Sequence, residues 1–153
     1  MSEPVRVLFV CLGNICRSPM ADALLRHKLS EKGLAGAFEV DSCGTGAWHR
    51  GEPPDPRTQD TLRAHGVPVV GRARQVSADD FERFDAILAM DRSNLAKLKR
   101  MAPQEHAHKI ALALEPTTGG EVPDPYYGDG DGFERVYRLL DDALDRWIGR
   151  WTS

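Results

Sequence analysis

The feature that most constrains the fold lies near the start of the chain. The apolar run Val5 to Val10 (VRVLFV) gives way at once to Cys11, Leu12, Gly13, Asn14, Ile15, Cys16, Arg17 and Ser18, with Pro19 behind them. A short apolar run closed by turn-forming residues reads as a buried strand. Ser18 reads as an N-cap with Pro19 at the first helical position, and Ala21, Leu24, Leu25, Lys28 and Leu29 follow at helical spacing until Gly33.

The same alternation runs through the rest of the chain. Phe38 to Cys43 predicts a second strand, the Gly- and Pro-rich stretch 44–56 an ordered loop, and Asp55-Pro56 the start of a helix that Gly66 ends. Ser77 with Asp80 predicts a capped short helix through Phe84. Asp85 to Met90 and Lys109 to Leu114 are the third and fourth strands, with a helix over Asp91 to Met101 between them. From Phe133, the residues Val136, Tyr137, Leu140, Leu144, Trp147, Ile148 and Trp151 keep a helical period for about five turns. Strands separated by helices call for crossover connections, hence an α/β fold with a mostly parallel sheet. With 153 residues, 41% hydrophobic and 28% charged, and no repeat or linker, the whole of 1–153 is expected to be one domain.

Charge and cysteine usage narrow the function. A formal net charge of −3 with no Lys/Arg block argues against a nucleic-acid partner. The first apolar stretch contains an arginine and falls far short of the roughly 20 residues a membrane span needs, so a cytoplasmic protein is expected. Three cysteines without a C-x-x-C pair, and five scattered histidines, indicate neither a disulfide framework nor a metal or cofactor site. His27, His49, His65, His106 and His108 are read as surface or core residues, and Cys43 as a core residue of its strand.

The opening loop is where chemistry is expected. In an open α/β sheet, ligands bind at the carboxyl ends of the strands, where an anion meets free N–H groups of the following helix. Cys11 stands at that edge. Gly13 and Asn14 readily take left-handed or turn conformations, which lets successive N–H groups curl inward, and Arg17 adds a planar fork suited to two phosphate oxygens. A helix N-terminus and an arginine also favour the thiolate form of a cysteine, the form that acts as nucleophile. Ser18 has two readings, helix cap or donor to the sulfur. The plain structural alternative is a buried cysteine ending a core strand beside an arginine on a solvated helix start.

A nucleophile attacking phosphorus needs a proton donor for the departing oxygen. In the stretch EVPDPYYGDGDG (121–132), Asp124 lies between two prolines beside Tyr126 and Tyr127, in a loop that follows the last strand. Tyr126, Tyr127 and Trp48 are candidate walls for a flat aromatic group. Alternatively, Asp124-Pro125 makes a turn, the tyrosines anchor their loop, and Asp129 and Asp131 are solvated turn residues.

Together with DPYYG, the segment VLFVCLGNICRSPMADALLR closely resembles the low-molecular-weight protein tyrosine phosphatase family, and DPR at 55–57 and FDAILAMDRSNL at 84–95 extend the likeness over nearly the whole chain. The resemblance implies an open, four-stranded parallel sheet flanked by helices on both faces, the phosphotyrosine phosphatase I-like fold, with a phosphate loop from Cys11 to Ser18 that includes Gly13 and Cys16. It implies Cys11 as nucleophile, Arg17 as phosphate clamp, Asn14 and Ser18 as groups that shape the loop and steady the thiolate, and Asp124 as general acid. Leu12, Ile15, Trp48, Tyr126 and Tyr127 would line the cleft, and Cys16 would correspond to a cysteine able to form a reversible disulfide with the nucleophile. The implied substrates are tyrosine-phosphorylated proteins, with phosphate as product and inhibitor. One departure stands out: Gly71 precedes RARQ where some relatives carry a histidine that supports the loop. Three rivals are weighed against this reading. An arsenate reductase needs two further cysteines, an arginine phosphatase resembles this loop with threonine in place of Ile15, and a phosphocysteine carrier needs no general acid.

Overall fold

The computed structural model describes residues 3–128 and 131–153. Four strands, β1 (Val5–Cys11), β2 (Phe38–Gly44), β3 (Ala86–Ala89) and β4 (Ile110–Leu112), form one sheet in the order β2-β1-β3-β4. Every pairing is parallel, with Val10 opposite Cys43 on one side and Ala89 on the other. The helices are α1 (Arg17–Glu31), α2 (Pro56–Ala64), α3 (Ala78–Arg83), α4 (Arg92–Met101) and α5 (Asp131–Thr152).

The central strand is buried on both faces from Val7 onward, which is why VLFV at 7–10 is continuously apolar rather than alternating, while Arg6 lies at the half-exposed strand start. Val7, Phe9 and Cys11 point into a core shared with Leu24 of α1, Leu62 of α2 and Leu140 of α5. Leu8 and Val10 point the other way, onto Phe81 of α3 and Leu98 of α4. Helices therefore cover both faces, and each fully buried Phe or Leu contributes about 1.5–3 kcal/mol of transfer free energy. The strand order reverses between β1 and β3, so the carboxyl end of β1 opens into the crevice where such sheets hold ligands.

Several boundaries differ from the sequence reading. Helix α1 begins at Arg17 with Cys16 at the cap position, so Ser18 is not the N-cap and Pro19 is the third helical residue, not the first. The ring is tolerated there because the first four helical N–H groups have no intrahelical acceptor. Strand β4 is cut to three residues, because Lys109 ends a 3-10 turn over Gln104–Lys109 and the buried Ala113 and Leu114 already belong to the following turn. Asp131 is the first residue of α5 rather than a turn residue, and Asp129 lies outside the described residues.

Candidate active site

Cys11 ends β1, and its sulfur is buried at the floor of a cleft of about 360 Å³. The loop that follows bends back over it. Asn14 takes the left-handed conformation (φ 57°), one of the few roles a non-glycine residue fills cheaply when it is asparagine. This turn aims the Asn14 N–H at Cys11 Sγ, 3.3 Å away. Gly13, by contrast, is not left-handed. Its missing side chain makes room for His49, whose ring would lie 3.0 Å from a Cβ there. Among the described residues, the amides of Leu12, Gly13, Ile15 and Cys16 donate to no protein acceptor and stay available to an anion.

The Asn14 side chain locks the turn. Its amide donates to Ser18 Oγ at 2.8 Å and to Ser42 Oγ at 2.9 Å, and its carbonyl accepts the Arg74 N–H at 2.9 Å. Support for the loop from the RARQ side thus comes through the Arg74 backbone. Gly71 itself is left-handed and has open space around its Cα. Ser18 Oγ, with one lone pair already used by Asn14, lies 2.9 Å from Cys11 Sγ and 3.3 Å from the Cys43 carbonyl. Ser18 thus lies within hydrogen-bond reach of the sulfur and does not cap the helix, whose cap position is Cys16.

Arg17, almost wholly buried at the first turn of α1, is aimed by two bonds from Nη1, to Asp91 Oδ2 at 2.8 Å and to the Val122 carbonyl at 3.0 Å. Asp91 also caps α4 by accepting the Asn94 N–H. Burial works against the guanidinium charge, but the neighbouring Cys11 and the bond to Asp91 outweigh it and hold Arg17 above the ordinary arginine value. Arg17 Nη2 lies 3.7 Å from Asp124 Oδ2, which brings the two motifs, more than a hundred residues apart in the chain, to one cleft.

The three cysteines are unlike one another. Cys16 is buried at the helix start, and desolvation, with Asp55 next, pushes its thiol up to about 12. Burial likewise raises the Cys43 thiol well above its ordinary value, inside the second core. Neither is suited to act as a resting thiolate, and the relay an arsenate reductase would need has no candidate in Cys43. The rim of the cleft is aromatic: Trp48 is 72% and Tyr127 94% exposed, and Tyr126 meets Tyr127 edge to face at 4.9 Å. Leu12, Ile15 and His49 complete the lining, so His49 joins the site although its type and position had marked it only as surface or core.

A family model for low molecular weight phosphotyrosine protein phosphatase matches residues 6–152. The chain belongs to that family. A phosphatase of this description from Schizosaccharomyces pombe is 49% identical over 152 residues, 97% of each chain. The protein tyrosine phosphatase of Entamoeba histolytica superposes with a TM-score of 0.94 at 38% identity, covering 97% of each chain. YfkJ from Bacillus subtilis superposes at 0.91 with 42% identity, over 97% of this chain and 95% of that one. As a low-molecular-weight protein-tyrosine phosphatase, the chain is a hydrolase of phosphotyrosine, and its substrates are phosphoproteins. Among the described residues, no group of three or more His, Cys, Asp or Glu side chains could hold a metal ion, and no helix is long and apolar enough to cross a membrane.

Two glycines that no local pattern marks as functional shape this phosphatase site. A Cβ on Gly44, the last residue of β2, would fall 2.8 Å from the Leu12 carbonyl oxygen and 3.1 Å from Asn14 N, backbone atoms of the loop after β1 that cannot yield. A Cβ on Gly46 would fall 1.8 Å from the Trp48 ring. Gly46→Ala is therefore expected to dislodge the Trp48 wall and raise KM for aryl phosphates about 3- to 10-fold, the worth of one aromatic contact, with kcat little changed. Steady-state kinetics on phenyl phosphate checks this, and an unchanged KM would remove Trp48 from the cleft wall.

Proposed function

We propose that the phosphatase works by a two-step displacement through a phosphocysteine on Cys11. The observation that carries this reading is the pair of polar hydrogens brought to one sulfur, the Asn14 N–H at 3.3 Å and the Ser18 hydroxyl at 2.9 Å. In the first step, the Cys11 thiolate attacks phosphorus in line, an S–P bond forms and the P–O bond to the phenol breaks. Asp124 delivers its proton to the departing oxygen. Arg17 and the free loop amides of Gly13, Ile15 and Cys16 hold the three equatorial oxygens as charge redistributes among them. In the second step, water attacks the same phosphorus, Asp124, now a carboxylate, takes its proton, and Cys11 leaves as the thiolate with inorganic phosphate released.

Leu12, Ile15, Trp48, Tyr126 and Tyr127 form the walls that receive the phenyl ring of a phosphotyrosine on a protein. Free phosphate, as product, occupies the same cradle and inhibits competitively. A nucleophile that must remain a free thiol fits a reducing compartment such as the cytoplasm.

The charge of the transferring group is met by Arg17 and backbone dipoles in this scheme, so EDTA is expected to leave the rate unchanged. Repeated turnover of p-nitrophenyl phosphate is expected, with rapid quenching trapping phosphate bound to Cys11. A single burst without turnover would instead identify a phosphocysteine carrier, and inactivation by EDTA would overturn the scheme.

A further inference from the structure

The segment carrying Asp124 belongs to neither a strand nor a helix, so something else must hold it over the phosphate loop. Its entry is fixed by Val122, which is fully buried, donates its N–H to the Met90 carbonyl at 2.8 Å and accepts from Arg17. Its exit is fixed at Tyr126. There the N–H turns back to Asp124 Oδ1 at 3.1 Å, and the carbonyl accepts from Arg57 Nη1 at 3.0 Å. The Arg57 guanidinium carbon also lies 5.3 Å from the centroid of the Tyr126 ring and 4.6 Å from that of Phe133.

Arg57 is itself held rigidly. Asp55, the cap of α2, accepts its backbone N–H at 2.8 Å, its Nε at 3.0 Å and its Nη2 at 3.0 Å, which leaves Nη1 pointing to Tyr126. Burial disfavours the Asp55 carboxylate, but these bonds outweigh it and hold the group below the usual range. The same helix end braces the phosphate loop: the Asp55 N–H donates to the Ile15 carbonyl at 2.8 Å, and Thr58 Oγ1 donates to the Cys16 carbonyl at 3.3 Å. Arg57 does not line the cleft.

We propose that Arg57 is a positioning residue for the hydrolytic reaction, tying Tyr126, and through it Asp124, to the helix end that braces the phosphate loop, and so setting the reach of the proton donor to the departing oxygen. The proposal rests on Asp124 being the general acid. It calls for a guanidinium: one planar fork satisfies Asp55 along Nε and Nη2 while Nη1 reaches a carbonyl on another element, which the single ammonium of lysine does not span.

The test compares phenyl phosphate, whose leaving group needs a proton, with 2,4-dinitrophenyl phosphate, whose leaving group does not. A displacement of about 1 Å can cost on the order of 10²-fold, so Arg57→Met is expected to lower kcat/KM on phenyl phosphate ~10- to 100-fold, and at least about fivefold more than on the dinitrophenyl ester. Orthovanadate affinity, which reads the Cys11 and Arg17 cradle, should hold within about threefold. Arg57→Lys, which keeps charge and solubility, should share the selective defect. Equal losses on the two esters, loss of vanadate binding alongside activity, or a fully active Arg57→Lys would each overturn the proposal. Asp124→Asn is run beside them. If it too lacks leaving-group dependence, the acid assignment has failed; if it shows the dependence and Arg57→Met does not, only the role of Arg57 falls.

Discussion

Cys11→Ser is expected to lower turnover of p-nitrophenyl phosphate by about 10⁴-fold or more while orthophosphate still binds. A serine hydroxyl keeps nearly the same volume but holds its proton at every pH where the protein is folded, and no general base stands beside it. The neighbours of Cys11 Sγ are the Ser18 hydroxyl at 2.9 Å and the Asn14 N–H at 3.3 Å, neither of them a base. The anion cradle does not depend on the sulfur, because Arg17 is aimed by Asp91 and the Val122 carbonyl, and the turn is locked through Asn14. Phosphate affinity by calorimetry should therefore change by less than about tenfold. Residual turnover above about 1% of the parent rate would mean that the reaction does not pass through this sulfur.

Asp124→Asn is the second large effect, expected to slow phenyl phosphate hydrolysis on the order of 10²- to 10⁴-fold. The amide is isosteric and its oxygen can still accept the Tyr126 N–H, so the turn at 124–126 is kept and the loss reports the proton rather than the loop. With 2,4-dinitrophenyl phosphate the first step is rescued, and breakdown of the phosphocysteine, which also uses Asp124, becomes limiting. Rapid-quench measurement should then find phosphorylated enzyme accumulating. If both esters slow equally with no accumulation, the proton donor lies elsewhere.

Much of the fold could be read from local pattern. The short apolar run of β1 predicted a buried strand, and the repeated change between strand and helical spacing predicted a parallel sheet. Cys11, Arg17 and Asp124 each carried a chemical signature, and the structure brings all three to one cleft. What escaped has a common cause. Ser18 has the side chain of a helix cap and the right neighbour in Pro19, yet its hydroxyl lies against the sulfur, because the loop folds back and starts the helix two residues sooner than local preference suggests. Asp91 had been placed only at a helix start, and Ser42 within a strand, while each in fact also serves a residue of the opening loop. Nothing local to Gly44 announces the loop backbone pressed against it. Contacts made across 28 or 74 positions leave no periodicity to find.

The Asn14 side chain spends its hydrogen-bonding capacity on Ser18, Ser42 and the Arg74 backbone, all of them protein partners. Its turn is consequently finished before any phosphate arrives. The entropy of ordering those residues is lost once, when the chain folds, rather than at every encounter. On the proposed mechanism, a phosphate ester then meets a turn already locked by protein partners, and that ordering cost is not charged to binding.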